Sequence, residues 1–133
     1  MKKLVALCLA IVMCVSFVGC GSQKVTIDDV CIEADSLLVE WSKENFAFCY
    51  YEGCYEKVNG IYYYIVKATM SQTASDSEYV DFVAVDASKN ILKEVYPTLT
   101  NLFLEFDVPV MIVVYDEYGN DYSAVVNNEI IYS

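Results

Sequence analysis

The sequence predicts a single small α+β domain, an antiparallel sheet packed against two helices in the order α-β-β-β-α-β-β. Apolar residues recur at helical spacing in two stretches, over residues 27–44 and 91–106. Short runs rich in aromatic and β-branched residues lie between and after these stretches, as expected of strands. The chain has 133 residues, which is room for one domain with one hydrophobic core.

The first predicted helix covers residues 27–44. Thr26 suits the N-cap position, and Asp28 and Asp29 follow in the first turn, where the helix dipole favours negative charge. Apolar residues then repeat at helical spacing, at Ile27, Val30, Cys31, Ala34, Leu38 and Trp41. We expect this amphipathic helix to bury that side against the sheet.

A β-hairpin is predicted next, with one strand at residues 48–58 and the other at residues 61–70. Asn59 and Gly60 stand between the strands, and both residue types tolerate the positive φ angles of a type I′ turn. The turn therefore sets the pairing of the two strands, and the pairing decides which side chains share a face.

The predicted pairing divides the side chains of the hairpin between two faces. One face carries mainly aromatic side chains: Tyr55, Lys57, Tyr62 and Tyr64. The other face carries a more aliphatic set: Glu56, Val58, Ile61, Tyr63 and Ile65. Because aliphatic side chains favour the core, we expect the second face to pack against the helices and the tyrosines of the first face to be exposed.

The middle of the chain predicts a further strand and a second helix. Residues 71–77 are polar and indicate a loop, and residues 78–85 indicate a third strand, with a helix as the alternative. Asp86 can cap the second helix. Pro97 lacks the N–H that a helix interior needs, so we expect the helix to kink there or to begin a new segment at Pro97.

Two strands are predicted after the second helix, which ends near Asp107 and Pro109. Residues 110–115 form a continuous run rich in β-branched residues, which indicates a central strand covered on both faces. Residues 116–121 have the composition of a turn and lead into a last strand at residues 122–131. These two strands complete the antiparallel sheet.

The chain is strongly acidic. It holds 19 Asp and Glu residues against eight lysines, with no arginine, and its net charge is −11. Binding to a phosphate backbone requires clustered basic residues, so this charge argues against nucleic acid as a partner. It also argues against adhesion of the domain surface to anionic lipid headgroups. A cationic partner and simple solubility are both compatible with it.

The chain contains no histidine, which removes Ser-His-Asp and Cys-His catalysis and the commonest zinc ligand. Neither a Cys-x-x-Cys pair nor a glycine-rich phosphate loop is present. We therefore expect no catalytic residues, no cofactor and no metal site. The loop at residues 116–121 has oxygen ligands that calcium accepts, but its spacing differs from that of an EF-hand, and a solvated turn is the expected structure.

The first residues of the chain predict a targeting segment. Lys2 and Lys3 form a positive n-region, and residues 4–18 form an uncharged apolar h-region. A helix of this length reaches about 22 Å, which is shorter than the ~30 Å hydrocarbon core of a bilayer. A cleaved signal peptide is therefore favoured over a permanent transmembrane helix.

The end of this segment, Phe17-Val18-Gly19-Cys20, resembles the lipobox of bacterial lipoprotein signal peptides, with Phe17 in place of the usual leucine. The resemblance implies cleavage between Gly19 and Cys20 and a diacylglyceryl thioether on Cys20. Acyl chains such as palmitate would then hold the protein at the cell membrane, on its extracytoplasmic side.

This resemblance also implies the organisation of the chain. Residues 1–19 form the cleaved signal peptide, residues 20–25 the lipidated N-terminus and a short tether, and residues 26–133 the α+β domain. Cleavage removes two lysines, so six remain against 19 acidic residues, which is a net charge of −13. Because residues 21–24 span at most ~14 Å, we expect the domain to lie close to the membrane.

Three cysteines remain after cleavage, Cys31, Cys49 and Cys54, and an extracytoplasmic compartment permits disulfides. We expect a bridge between Cys49 and Cys54, because the loop of about six residues that it closes is worth roughly 2 kcal/mol in the chain-entropy model. The alternatives are a bridge from Cys31 to one of the other two, and three unpaired thiols that pack as small apolar residues.

The aromatic face of the hairpin is the candidate binding surface. Tyr55, Tyr62 and Tyr64 would present apolar area with polar tips to a protein, peptide or glycan of the cell envelope. We thus expect a non-catalytic binding, adaptor or inhibitory module anchored to the membrane. The alternatives are a small surface hydrolase that uses carboxylates alone, and a purely structural component of an envelope complex.

Overall fold

The first helix, α1 (Ile27–Glu44), begins at a capping box. The backbone N–H of Thr26 donates to Oδ2 of Asp29 over 3.0 Å, and the N–H of Asp29 donates back to Oγ1 of Thr26 over 3.3 Å. The computed structural model describes residues 25–44 and 49–133, and within them the predicted helix and its N-cap are confirmed. The predicted signal peptide, Cys20 and the predicted tether up to residue 24 lie outside the described residues.

The hairpin that follows consists of strands β1 (Cys49–Val58) and β2 (Ile61–Met70), paired antiparallel. Asn59 has a φ of 52° and Gly60 a φ of 85°. Both angles are those of a type I′ turn, so the predicted hairpin, its turn and its register are confirmed.

The predicted strand at residues 78–85 is wrong. A short helix, α2 (Gln72–Ser75), is followed by a longer one, α3 (Val80–Asn90). Ala84, Ala87 and Ser88 are its buried residues. Their spacing puts them on one side of the helix, and that side packs against the sheet, so tertiary packing overrides the strand propensity of the local sequence.

Asp86 lies inside α3 and is exposed, so it does not cap a helix as predicted. A π-helical segment (Ile91–Val95) connects α3 to the next helix, α4 (Tyr96–Phe103). Pro97 is in the first turn of α4, where its missing N–H costs nothing. The predicted change of helical segment at Pro97 is therefore confirmed.

The remaining strands are β3 (Val110–Tyr115), β4 (Asp121–Val126) and β5 (Glu129–Tyr132). The sheet order is β1-β2-β3-β4-β5, with β2 and β3 parallel and the other neighbouring pairs antiparallel. The α+β class is thus confirmed, but the sheet is mixed. The helical segments between β2 and β3 form a crossover connection, which returns the chain to the same end of the sheet and makes the pair parallel.

The last predicted strand, at residues 122–131, is divided into β4 and β5 by a second tight turn. Asn127 and Asn128 form this turn, with φ angles of 53° and 60°. Asparagine tolerates such positive φ angles better than most residues, which is why an Asn-Asn pair can replace Asn-Gly here.

The core lies between the sheet and helices α1, α3 and α4. The largest fully buried side chains include Trp41, Tyr64, Phe103, Leu99 and Ile112. On β3, every second residue is buried and the residues between are half-buried. β3 is central as predicted, but among residues 25–44 and 49–133 helices cover only one of its faces.

Candidate functional site

The strand pairing divides the sheet into a helix-covered face and an open face. Tyr64 of β2 stacks on Phe103 of α4 with 4.7 Å between ring centroids, and Ser123 of β4 contacts Ser88 of α3. These contacts identify the helix-covered face. Side chains alternate between the two faces along a strand, so Tyr63 and Ile65, on either side of Tyr64, belong to the open face.

The open face is apolar at its centre. Its central residues come from all three inner strands and are half-buried, because they cover one another and no described helix lies over them: Tyr63, Ile65, Met111, Val113, Ala124 and Val126. The register places Ile65 beside Met111, and Val113 beside Ala124. At a strand spacing of about 4.8 Å and a rise of about 3.3 Å per residue, six residues along each of the three inner strands cover roughly 300 Å², which is the size of the largest apolar patch on many monomers.

The charged side chains of the open face are mostly acidic and lie on its edge strands. Glu52 and Glu56 belong to β1, and Glu129 begins β5. Lys67 stands opposite Glu52 in the register, but its ammonium lies over the ring of Tyr115, 5.2 Å from the centroid. The lysine thus contacts the aromatic ring, and the carboxylates at the edges face solvent.

The expected tyrosine surface is wrong in one essential respect. Tyr64 is 1% exposed and belongs to the core, so the aromatic face of the hairpin is the one that packs against the helices. The aliphatic set on the opposite side, which was expected to be buried, is part of the open face. Tyr55 and Tyr62 lie on the helix-covered face, near the turn, where Tyr55 is half-buried and Tyr62 remains exposed.

A close approach of α1 to the hairpin over Gly53 explains why Tyr64 is inside. Its hydroxyl donates a 2.5 Å hydrogen bond to Oδ1 of Asp35 on α1. Both groups lie over Gly53, where a Cβ atom would stand 1.9 Å from Oη of Tyr64 and 2.9 Å from that carboxylate oxygen. Burial, the hydrogen bond to Asp35 and its negative charge raise the pKa of Tyr64 far above the usual range.

Tyr55 and Tyr62 form a stacked pair near the turn of the hairpin. Their ring centroids are 4.9 Å apart and their planes differ by 12°. The ammonium of Lys57 lies 5.5 Å from the centroid of Tyr62. Burial raises the pKa of Tyr55, and the charges of Tyr62, Cys31 and Asp28 raise it further.

The predicted bridge between Cys49 and Cys54 is wrong. Both residues belong to β1, where five residues of extended chain separate their Cα atoms by about 16 Å. A disulfide spans about 4.4–6.8 Å between Cα atoms. Cys54 has a free, exposed thiol, whereas the side chain of Cys49 lies outside the described part of the chain.

Cys31 on α1 has a free, half-buried thiol. Burial raises its pKa, and the negative charges of Asp35 and Asp28 raise it further. A reactive cysteine needs the opposite, a nearby cation or helix N-terminus that stabilises the thiolate. The environment of Cys31 is therefore that of an inert thiol.

The acidic loop between β3 and β4 is held by its own hydrogen bonds. Oδ1 of Asp116 accepts from the backbone N–H groups of Tyr118 and Asn120, and Oδ2 accepts from the Asn120 side chain and the Tyr122 hydroxyl. Burial alone would raise the pKa of Asp116, but these donors outweigh it and lower the pKa. The carboxylate is occupied by the loop itself, and its role is structural.

Two properties of the described residues bear on ligands and membranes. Among the side chains that the structure describes, which exclude those of Glu44 and Cys49, no three Cys, Asp or Glu groups converge closely enough to hold a metal ion. Within residues 25–44 and 49–133, no helix combines the length and hydrophobicity that crossing a bilayer requires.

Sequence reasoning missed the open face, although one signal for it is present. Residues 110–115 are apolar at every position, which is typical of a strand with two covered faces. Helices cover one of those faces, so the apolar residues on the other face are left for a contact outside the described fold. Comparison of the chain with protein-family models, curated proteins and solved structures found no match.

Proposed function

We propose that this protein is a lipid-anchored, extracytoplasmic binding module whose open face contacts a protein segment of the cell envelope. The observation that carries the proposal is the half-buried apolar centre of the open face, where no described helix lies over Ile65, Met111 and Val113. An apolar patch of this size on a monomer commonly marks a contact site.

The size of the apolar centre indicates that the partner binds through a short protein segment. A standard protein interface covers about 800 Å² on each partner, whereas the apolar centre of the open face has roughly 300 Å². A peptide-sized contact fits this area, and a larger partner would also contact the edge strands. The binding is therefore expected to be modest in affinity and to depend on apolar side chains.

The charges at the edges define the second property of the partner. Glu52, Glu56 and Glu129 flank the apolar centre, and the chain as a whole has a net charge of −11. A segment that combines apolar side chains with Lys or Arg at its ends would match this pattern. Such complementarity raises association rates and excludes acidic partners.

The anchoring part of the proposal is supported by the sequence of the signal segment and by Cys20. Cys20→Ala should abolish incorporation of a fatty-acid probe and should move the protein from the membrane fraction to the soluble fraction. Cys54→Ala is the matched control, since it also removes one thiol and should leave both readouts unchanged. Undiminished labelling of Cys20→Ala would contradict the lipid anchor.

The open face is tested by a photo-crosslinking amino acid at Val113, in intact cells. We expect an adduct there and none from the same group at Asp86, which is exposed on α3 in the helical layer. Reversing Glu52 and Glu56 to lysine should weaken the Val113 adduct about tenfold, because it opposes a basic partner.

The matched control for that charge reversal changes Asp81 and Asp86 to lysine. Both are exposed residues of α3, and the net charge changes by the same amount. An equal loss of the Val113 adduct in both variants would mean that overall charge, and not the open face, controls binding. Absence of any adduct at Val113 would contradict the proposed contact.

A further inference from the structure

The N-terminus of α1 and the turn of the hairpin lie at the same end of the domain. Along α1, Ser42 accepts a hydrogen bond from the N–H of Tyr51, and Asp35 accepts one from Tyr64. Asp28, near the start of α1, acts electrostatically on Tyr55. The helix therefore runs antiparallel to β1, and the chain enters the domain beside the last residues of that strand.

The hairpin extends beyond the rest of the sheet at this end. Pairing between β2 and β3 starts at Tyr64 and Val110, so Ile61 and the two residues after it have no partner on β3. Three residues of strand correspond to about 10 Å. We call the outermost residues of this projection, 57–62, the hairpin tip; Glu56, which pairs with Tyr63, lies directly behind it.

The hairpin tip exposes apolar and aromatic side chains. Val58 is 37% exposed, Ile61 54% and Tyr62 47%. Tyr62 is stacked on Tyr55 and lies under the ammonium of Lys57. Tyrosine and lysine are both suited to the boundary between lipid and water, because each combines an apolar body with a polar end.

The hairpin tip differs from most of this acidic chain in having no Asp or Glu residues. The chain has 19 acidic residues, but residues 57–75 include none of them. A carboxylate is costly to bring into a bilayer, so a segment without carboxylates is the part of an acidic domain that can enter one. Asp28 and Asp29, at the start of α1, limit the insertion to the tip itself.

We propose that the hairpin tip inserts into the interfacial layer of the bilayer to which the protein is anchored. This inference rests on the proposed lipid at Cys20. The chain outside the described residues joins the domain at this end, and residues 21–24 reach at most ~14 Å from the anchor. The bilayer is thus within reach of the tip, and Val58, Ile61 and Tyr62 are the side chains that contact it.

This contact orients the domain. The strands extend from the tip toward the loop at residues 116–121, so they stand upright on the membrane. The open face is then presented sideways, along the membrane surface. Since the chain is acidic, the favoured lipid is zwitterionic, and anionic lipid would weaken the contact by repulsion.

The test uses the lipidated full-length chain in phosphatidylcholine vesicles that contain brominated lipid. Tyr62→Trp introduces a reporter at the tip, and Tyr132→Trp introduces one at the far end of β5. The two tyrosines are matched, with 47% and 51% exposure, and the natural Trp41 is fully buried. We expect strong bromine quenching of Trp at position 62 and little at position 132.

Ile61→Asp, added to Tyr62→Trp, should remove most of that quenching. Ile131→Asp is the matched control, because Ile131 on β5 is 55% exposed against 54% for Ile61. In a Cys20→Ala chain prepared without residues 1–19, which has neither the lipid nor the apolar signal segment, Ile61→Asp should weaken vesicle binding about tenfold, as expected for one buried Ile side chain. Ile61→Ser provides a milder variant, and circular dichroism checks that each variant is folded.

The lipid anchor at Cys20 and the inserted hairpin tip are tested by different measurements. Flotation of the protein with vesicles depends on the lipid at Cys20, whereas quenching at position 62 depends on the tip. Flotation without quenching at position 62 would overturn the inserted tip and leave the anchor standing. Equal quenching at positions 62 and 132 would also overturn it. If flotation fails, vesicle titration of the Cys20→Ala chain without residues 1–19 still decides whether the tip binds lipid.

Discussion

The hydroxyl of Tyr64 on β2 donates a hydrogen bond of 2.5 Å to Oδ1 of Asp35 on α1, directly over Gly53. This contact joins the first helix to the sheet. It also decides the orientation of the hairpin, because it places one set of alternating side chains in the core. Tyr63 and Ile65 consequently lie on the open face.

Tyr64→Phe should lower the free energy of unfolding by about 1–2 kcal/mol, because it removes a hydrogen bond to a charged group and keeps the buried ring. Chemical denaturation with urea measures this change. Tyr62→Phe is the control, since the exposed Tyr62 ring would lose no such bond, and it should change stability by less than about 0.5 kcal/mol. Equal effects of the two substitutions would contradict a specific role for the contact with Asp35.

Gly53→Ala should destabilise the domain by about 1–3 kcal/mol. The added Cβ would overlap the Tyr64 hydroxyl, and the buried Tyr64 ring would have to shift to relieve the overlap. Tyr64→Leu shortens the opposing side chain, so the double variant should lose less stability than the sum of the two single changes. Gly60→Ala is the control: no atom lies within 4 Å of its Cβ, and its cost of about 1 kcal/mol comes from a φ of 85°. Additive losses for Gly53 and Tyr64 would contradict the steric explanation.

Stability should fall at alkaline pH. The folded protein holds the Tyr64 proton more tightly than the unfolded chain, in which tyrosine titrates near pH 10.0. Below pH 10 this group therefore makes no contribution to the pH dependence of the free energy of unfolding, and above pH 10 the free energy decreases by about 1.4 kcal/mol per pH unit. Urea titrations between pH 8 and about pH 11 measure the slope.

Tyr64→Phe should make that alkaline slope shallower. A residual slope is expected, since the pKa values of Tyr118 and Tyr122 are also raised, by hydrogen bonds to Asp76 and Asp116 and by burial. An unchanged slope in Tyr64→Phe would show that other groups carry the alkaline transition.

Alkylation should distinguish the two described thiols. Cys54 is exposed on the open face, whereas Cys31 is half-buried and its pKa is raised by burial and by Asp35 and Asp28. Because the thiolate is the reacting form, iodoacetamide at about pH 8 should modify Cys54 several-fold faster than Cys31. Peptide mass spectrometry over time gives both rates, and Asp35→Asn should raise the rate at Cys31. A disulfide between Cys49 and Cys54 in a non-reducing map would contradict the extended β1.

Local signals in the sequence determined α1, the hairpin and the break at Pro97. Each depends on residues that are neighbours in the chain: the capping box of Thr26 and Asp29, the positive φ angles of Asn59 and Gly60, and the missing N–H of proline. Such interactions are formed within one turn of backbone, so a single sequence is enough to predict them. The lipid anchor at Cys20 is a prediction of the same local kind.

Contacts between distant residues decided the rest. Residues 78–85 suit a strand or a helix, and burial of Ala84 and Ser88 against the sheet selects the helix α3. The parallel pairing of β2 with β3 depends on the helical crossover between them. Neither choice is visible in the local pattern, because its free energy comes from packing against other elements.

The candidate binding surface illustrates the same division. The alternation of side chains along β2 predicts which of them share a face. Both faces are apolar, however, so the pattern does not predict which face is buried. That choice depends on whether a helix can approach one side closely. Gly53 leaves the space in which Tyr64 meets Asp35, and a contact across 29 residues of sequence thereby turns the aromatic face inward and leaves the aliphatic face open.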